Sequence, residues 1–190
     1  SASPDQKLAA VEVGFSEVAI KNLSEPEATG TPIVFPDKRK TNSVTFLKNG
    51  RGWSANSKKF LFGRGVAASG RLKARTLWYI WESETNRLTD LTALYERKII
   101  LKQPSSSPLP TQFEPSKLTW FAGENDLIAL MGKKLFRLDA KNESVTDLNL
   151  SDILDFDSWE NKIAALKNPD ILMLMDSAVE NISALGQVGF

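Results

Sequence analysis

The sequence has 190 residues, of which 42% are hydrophobic and 25% charged, and its formal net charge is +1. These proportions are typical of a folded domain and argue against a disordered chain. It contains no cysteine and no histidine, which excludes disulfides, thiolate nucleophiles and Ser-His or Cys-His triads and removes the commonest metal ligand. No apolar run approaches the roughly 20 residues that cross a bilayer. We therefore expect a soluble chain, with cytoplasm and periplasm both open as its compartment.

The N-terminal part predicts a series of short strands. Residues 8–13 form the first, after a turn that Pro4 and Asp5 favour, and residues 17–23 form the second. Residues 32–35 predict an edge strand, because Pro32 has no N–H to donate to a ladder.

The stretch from residue 43 to residue 91 predicts four further strands. Residues 43–47 alternate between polar and apolar, and the Asn49-Gly50 dipeptide favours a hairpin turn. A strand ends at Trp53, residues 59–62 form the next, and residues 63–70 are expected to be a flexible Gly-rich connection. A strand over residues 76–81 then leads through a polar hairpin into a last strand.

The middle of the chain is less regular. Residues 92–102 predict either a strand centred on residues 99–101 or a short helix around residues 93–95. Residues 103–112 begin with three prolines and three serines in eight positions and predict a linker. The linker separates two repeat units in residues 1–102 from two more in residues 113–190, and the whole is interpreted as one continuous domain.

The C-terminal part repeats the same pattern. Four short strands with turns between them are predicted over residues 117–148. An abbreviated copy is expected over residues 158–185, and its Ala, Leu and Met content leaves a helix as the alternative.

The turn from Trp53 to Lys59, Trp-Ser-Ala-Asn-Ser-Lys-Lys, is the most distinctive motif. Residues 3–11, 122–130 and 160–166 resemble this turn and its following strand. In these features the chain resembles the TolB-like and WD-repeat-like β-propeller families, whose blades carry a Trp-Ser-Pro-Asp-Gly-Lys turn before an apolar strand. It departs from that pattern where Ala55 and Asn56 replace proline and aspartate. The resemblance implies an all-β fold, a propeller-like array of about four short antiparallel meanders, either shortened or part of a larger propeller.

A core is predicted because a single meander cannot bury its own faces and must stack on its neighbours. The residues expected to fill the space between the sheets are large and apolar: Trp53, Phe60, Phe62, Trp78, Ile80, Trp120, Leu127, Phe136 and Leu138.

Charge is unevenly distributed. Residues 38–81 contain eleven basic residues and no acidic one, whereas residues 139–180 contain ten acidic residues against three lysines. Either the two halves complement each other within the fold, which we favour, or the basic stretch faces an anionic partner such as nucleic acid. The candidate anion-binding or partner-binding residues of that stretch, close in sequence to Trp78, Tyr79 and Trp81, are Lys58, Lys59, Arg64, Arg71, Lys73 and Arg75.

No catalytic, metal or cofactor site is predicted. Gly63-Arg64-Gly65 lacks the Gly-Lys-Ser/Thr of a phosphate-binding loop. Asp152, Asp155 and Asp157 offer oxygen ligands for calcium, but a solvated acidic turn is the favoured interpretation.

The sequence therefore favours a non-catalytic scaffold for protein–protein interaction within a larger assembly, binding one or more protein partners. One alternative is a module that binds an anionic ligand or nucleic acid through residues 38–81. The other, implied by the resemblance, is the accessory propeller of a hydrolase or peptidase.

Overall fold

The computed structural model describes residues 1–13, 17–25, 27–35, 41–47, 51–68, 73–100, 109–121, 123–159, 162–167, 171–176 and 183–187. These residues form four antiparallel sheets, a short helix and a π-helical segment, so the predicted all-β class is confirmed. The chain divides into two compact units, Ser1–Leu94 and Tyr95–Phe190.

The first unit contains two sheets, in the orders β1-β2-β3 and β4-β5-β6-β7. Each is a meander in which consecutive strands pair, as expected for short turns between antiparallel neighbours. The strands are β1 (Leu8–Val13), β2 (Glu17–Asn22), β3 (Thr31–Pro32), β4 (Thr41–Phe46), β5 (Lys59–Val66), β6 (Arg75–Glu82) and β7 (Arg87–Asp90).

The second unit likewise contains two sheets, each of four strands in sequential order. The strands are β8 (Lys117–Phe121), β9 (Asp126–Met131), β10 (Lys134–Asp139), β11 (Ser144–Asp147), β12 (Ile153–Trp159), β13 (Lys162–Lys167), β14 (Ile171–Asp176) and β15 (Ser183–Gln187). The β9–β10 turn has positive φ at Gly132 (55°) and Lys133 (63°), the geometry of a tight hairpin turn whose twist matches its strands.

The predicted turn before β5 is built around a buried serine. The Ser54 side chain is fully buried; its Oγ donates to Asn56 Oδ1 (2.8 Å) and accepts from the Lys59 N–H (2.9 Å). Asn56 Oδ1 also accepts from the Lys58 N–H at 3.2 Å. Ser57 follows with a φ of 61°. Side-chain oxygens thus bind the backbone N–H groups that the tight turn leaves unpaired.

The turn before β1 has the same construction 51 residues earlier. Ser3 Oγ donates to Asp5 Oδ1 (2.6 Å) and accepts from the Leu8 N–H (3.0 Å). Gln6, with a φ of 57°, occupies the position of Ser57. The two turns differ chiefly in that a carboxylate replaces the Asn56 amide, so the predicted repeat is confirmed at the level of individual hydrogen bonds.

The two turns also contact each other. The Asp5 N–H donates to Ser57 Oγ at 3.0 Å, and Trp53 Nε1 donates to the Ser1 carbonyl at 3.0 Å. These bonds join residues 52 positions apart and fix one sheet of the first unit against the other.

An aromatic cluster fills the space between these sheets. Trp53 and Phe60 have ring centroids 4.9 Å apart, Phe60 stacks on Phe62 at 5.6 Å, and Phe62 stacks on Tyr79 at 5.9 Å. The opposite side of the cluster comes from β1 and β2, including Ala10, which is fully buried. Small side chains on one sheet thus accommodate large rings on the other, and close packing of this kind stabilises both.

All nine residues predicted to form the core are buried in the structure. In the second unit, buried residues of β9 and β10 pack with Ile153, Phe156 and Ile163 of the neighbouring sheet. The prediction that sheets stack through large apolar side chains is confirmed within each unit.

The expectation of a flexible connection from residue 63 is wrong for its first part, because β5 continues to Val66 and pairs with both neighbours. A Cβ at Gly63 would lie 2.7 Å from Thr76 Cγ2 and 3.3 Å from Thr45 Cβ. Glycine is therefore required for close approach of the strands here, not for flexibility. The rest of the predicted connection includes residues 69–72, which lie outside the described residues.

Two other segments left open by the sequence are resolved. Residues 91–99 form the short helix α1 (Leu91–Ala93) and a π-helical segment, Leu94–Ile99, so the helical alternative is the correct one there. Asp90 caps α1 by accepting from the Ala93 N–H at 2.8 Å. Residues 171–176 and 183–187 are strands, so the helical alternative for the C-terminal segment is wrong.

The acidic segment around Asp155 is a strand, not the expected turn. Asp155 and Asp157 lie in β12, which pairs with β13. An irregularity in register between Ile153 and Asp155 breaks the alternation by which a strand is recognised. The predicted linker, residues 103–112, lies mostly outside the described residues.

The buried turn serine gives a stability prediction. We expect Ser54→Ala to lower the free energy of unfolding by about 1–3 kcal/mol, because the buried Lys59 N–H loses its acceptor. Ser24→Ala is the control, since Ser24 makes a similar bond to Asn22 on the exposed surface. Urea denaturation followed by tryptophan fluorescence measures both, and equal effects would contradict a special role for the buried hydroxyl.

The equivalent turn before β1 gives a pH prediction. Hydrogen bonds from Ser3 Oγ and the Lys7 N–H lower the pKa of Asp5 below its ordinary value of 3.8. The Asp5 carboxylate therefore stabilises the fold above about pH 4, and this contribution is lost as pH falls through the lower folded-state pKa.

Asp5→Asn should keep the turn, since Asn56 occupies the matching position, and remove that pH dependence. We expect the variant to lose less stability than the wild type between about pH 5 and about pH 2. Urea denaturation across this range tests it, and parallel pH profiles for the two proteins would refute it.

Candidate functional site

The structure places the six predicted basic residues in different environments. Lys58 and Lys59 lie at the start of β5, beside the end of β6, whereas Val66 pairs with Arg75 at the other end of the same hairpin. Seven residue steps separate these ends, or about 23 Å at about 3.3 Å per residue. Lys73 is exposed beside Arg75, and Arg71 lies outside the described residues. Proximity in sequence therefore does not produce one continuous patch of these side chains.

Lys58 and Lys59 are paired with carboxylates. Lys58 Nζ lies 2.7 Å from Glu84 Oε1, and Lys59 Nζ lies 3.6 Å from Glu82 Oε1. A hydrogen bond from the Thr85 hydroxyl lowers the pKa of Glu82, with a further contribution from the charge of Lys59. Glu82 is thus held ionised, and the positive charge at this end of the hairpin is largely compensated.

Arg64 is not on an exposed connection, as the sequence had suggested. Its side chain is buried in β5, and its guanidinium carbon lies 4.2 Å from the centroid of the Phe35 ring. A cation over an aromatic face is a stabilising contact within the fold. Arg64 therefore serves packing of the first unit, and its burial restricts access for an outside ligand.

An apolar groove lies at another place in the first unit. It has a volume of about 300 Å³ and is lined by Pro32, Ile33, Val34, Phe35, Trp81, Asn86 and Leu88. These residues come from the segment that begins in β3 and from the β6–β7 hairpin, so the groove lies between two sheets of the same unit. The volume is at the lower end of the range for ligand sites.

Two features give this groove the character of a binding surface. Val34 is 84% exposed, more than the other exposed large apolar side chains Val13, Leu23 and Leu154. At the opposite wall Trp81 Nε1 donates to Asn86 Oδ1 at 2.9 Å, and Asn86 has a φ of 49°. The indole is thereby held with its polar atom satisfied and its apolar surface toward the groove lining.

The groove was not predicted from the sequence. Pro32 and Val34 were assigned to an edge strand, and Trp81 was noted only as a neighbour of basic residues. The strand β3 is indeed at the edge of its sheet but covers only Thr31–Pro32. Where the strand ends, the apolar residues that follow line the groove, a placement that depends on packing between sheets and has no local pattern.

Titratable groups in the described part of the chain form ion pairs and structural contacts. No group of three or more metal-ligating side chains is found among the described residues. Asp155, one of the calcium candidates, lies 2.8 Å from Lys117 Nζ. Burial raises the pKa of Tyr95, whose hydroxyl donates to the Pro110 carbonyl at 2.7 Å. No helix within the described ranges is long and apolar enough to cross a membrane.

Comparison with known proteins defines the fold. No family model and no curated protein matches the sequence. Solved β-propeller structures are similar to it. Dipeptidyl peptidase 4 of Porphyromonas gingivalis matches with a TM-score of 0.65 over 98% of this chain and 32% of its own, at 10% identity.

Two further solved structures agree with this result. A structure described as the eukaryotic initiation factor matches with a TM-score of 0.60 at 16% identity, and the N-terminal domain of Nup159 with 0.52 at 14% identity. Each covers 100% of this chain and 43% of the other. The chain is therefore an all-β, propeller-like array that spans less than half the length of these structures, and at these identities the likeness concerns the fold alone.

The separated cations give a prediction for polyanion binding. We expect K58Q/K59Q to elute from heparin at nearly the salt concentration of the wild type, because Glu82 and Glu84 already compensate both charges. The matched pair K73Q/R75Q should elute at lower salt. An equal shift for the two variants would show that ion pairing does not decide which end binds polyanions.

Proposed function

We propose that this chain is a non-catalytic protein-interaction module, a component of a larger assembly, and that the groove of the first unit is where it contacts a protein partner. The observation that carries the proposal is the groove itself, an apolar surface beside a valine that is 84% exposed. Exposed apolar surface next to a concave site is typical of contact surfaces for proteins.

The chemistry of the chain supports a non-catalytic role. The sequence has neither histidine nor cysteine, and the groove lining contains no ionisable side chain, Asn86 being its most polar member. General acid–base or nucleophilic catalysis needs a titratable or nucleophilic group within reach of the substrate. The groove instead offers apolar contact, one fixed indole and one amide.

The two alternatives have less support. An anion-binding role would use Lys73 and Arg75 at one end of the β5–β6 hairpin, without Lys58 and Lys59 at the other. An accessory role beside a hydrolase rests on the likeness to a peptidase structure, which at 10% identity concerns the fold.

The proposal is tested by a substitution in the groove. Val34→Glu places a charge on its most exposed apolar residue, and we expect it to abolish capture of the native protein partner from lysate in nuclease-treated, moderate-salt buffer. Leu23→Glu is the matched control, since Leu23 is an exposed apolar residue of the same unit outside the groove lining. Both variants should unfold at the same urea concentration as the wild type.

The outcomes separate the hypotheses. Loss of the partner with Val34→Glu and retention with Leu23→Glu supports the groove as the contact site. Retention in both variants contradicts that assignment, and hydrolysis of a peptide substrate by the purified chain contradicts the non-catalytic role.

A further inference from the structure

The sheet that contains β1 is one strand narrower than the three other sheets. In each of those, a strand precedes the strand of the turn motif or its equivalent, as β4 precedes β5, and pairs along it. In the described residues β1 forms an edge, and on its outer side it meets only the short stretch around Ala2. This edge lies outside the groove lining, so the inference goes beyond the proposed function.

The repeat of 51 residues shows which part of β1 is uncovered. Ala10 exchanges two backbone hydrogen bonds with Ser1, its N–H with the Ser1 carbonyl and its carbonyl with the Ser1 N-terminus, each at 2.8 Å. The matching residue, Leu61, donates to the Gly52 carbonyl in the same way. Beyond this point β5 pairs with β4, Gly63 opposite Thr45, whereas β1 continues without a neighbour on that side within the described residues.

Glu12 is the residue that presents its backbone at this edge. Successive residues of a strand direct their N–H and C=O groups to opposite sides. Because Ala10 uses the outer side, Glu12 has its N–H and C=O on the outer side too. The difference in cover appears in the side chains: Val13 is 48% exposed, whereas the matching Arg64 is 8% exposed.

The side chains at the edge define what fits. Val11 and Val13 lie on one face of β1 and Glu12 on the other, and Glu12 and Glu17 are both exposed. Residues directly opposite across a strand pair share a face and favour apolar pairs and opposite charges. In β4 the three residues at the equivalent positions are Val44, Thr45 and Phe46.

We propose that the edge of β1 binds an extended segment of a partner protein, antiparallel to β1, in which a lysine or arginine opposite Glu12 lies between two apolar residues opposite Val11 and Val13. The segment supplies hydrogen bonds to the Glu12 backbone and completes the sheet as β4 completes its own. The carboxylates of Glu12 and Glu17 select a basic strand and repel an acidic one.

The probe is a fluorescent peptide, Thr-Asn-Ser-Val-Lys-Phe, which is the β4 sequence with lysine in place of Thr45. Its counterpart has glutamate at that position. Fluorescence anisotropy with the full chain should show the lysine peptide binding about fivefold more tightly than the glutamate peptide.

Two variants test the edge directly. Glu12→Pro removes the outward N–H without touching the β1–β2 ladder and should weaken the lysine peptide at least about tenfold. Glu12→Lys keeps the backbone and should reverse the preference between the two peptides, so the proposal stays testable even if the proline variant fails to fold. Glu27→Lys, an exposed acidic residue of the same unit, is the control and should behave as the wild type, as should Val34→Glu in the groove.

The contradicting outcomes are distinct. Equal binding to wild type and to both Glu12 variants would mean that the peptide binds elsewhere, for instance by displacing β4. A dimer of the wild type in sedimentation velocity that dissociates with Glu12→Lys would show that a second copy occupies the edge, and would overturn the proposal. Because the groove variant has its own readout, either proposal can fail without the other.

Discussion

The hydroxyl of Ser54 binds both the side chain that shapes its turn and the first N–H of β5, in a place from which water is excluded. A buried donor or acceptor that loses its partner costs about 1–3 kcal/mol, so the turn is strongly specified. The register of β5 begins at this turn, and the register decides which side chains face the neighbouring sheet. Phe60 and Phe62 are directed into the inter-sheet core because the turn ends where it does.

The same turn 51 residues earlier extends this control to the first sheet. The bond from the Asp5 N–H to Ser57 Oγ, and the bond from Trp53 to the Ser1 carbonyl, join polar groups of one turn to the other at the margin of the aromatic cluster. Apolar packing alone is non-directional and tolerates sliding of one sheet over another. The polar contacts between turns add direction, and together the two interactions determine how the sheets of the first unit stack.

The sequence predicted what is locally encoded. Turns with Ser, Asn and Asp and strands of alternating apolar residues depend on neighbours a few positions away, and the strands β8 and β9 have the predicted bounds. Features that depend on distant residues were missed. Gly63 was assigned to a flexible connection, although its lack of a Cβ serves close approach to Thr76 across the sheet. The groove around Val34 and the burial of Arg64 likewise arise only when sheets are packed together.

The distribution of charge shows the same distinction and bears on how an open edge is tolerated. A run of basic residues along the sequence is folded back by an antiparallel hairpin, so Lys59 meets Glu82 while Arg75 lies at the far end. At β1, exposed carboxylates accompany the uncovered backbone of Glu12. Charged residues on an edge strand oppose indiscriminate pairing with other strands, including copies of the same chain. A charge that repels most strands leaves those of opposite charge as the favourable partners, so protection of an edge and selection of its occupant follow from one carboxylate.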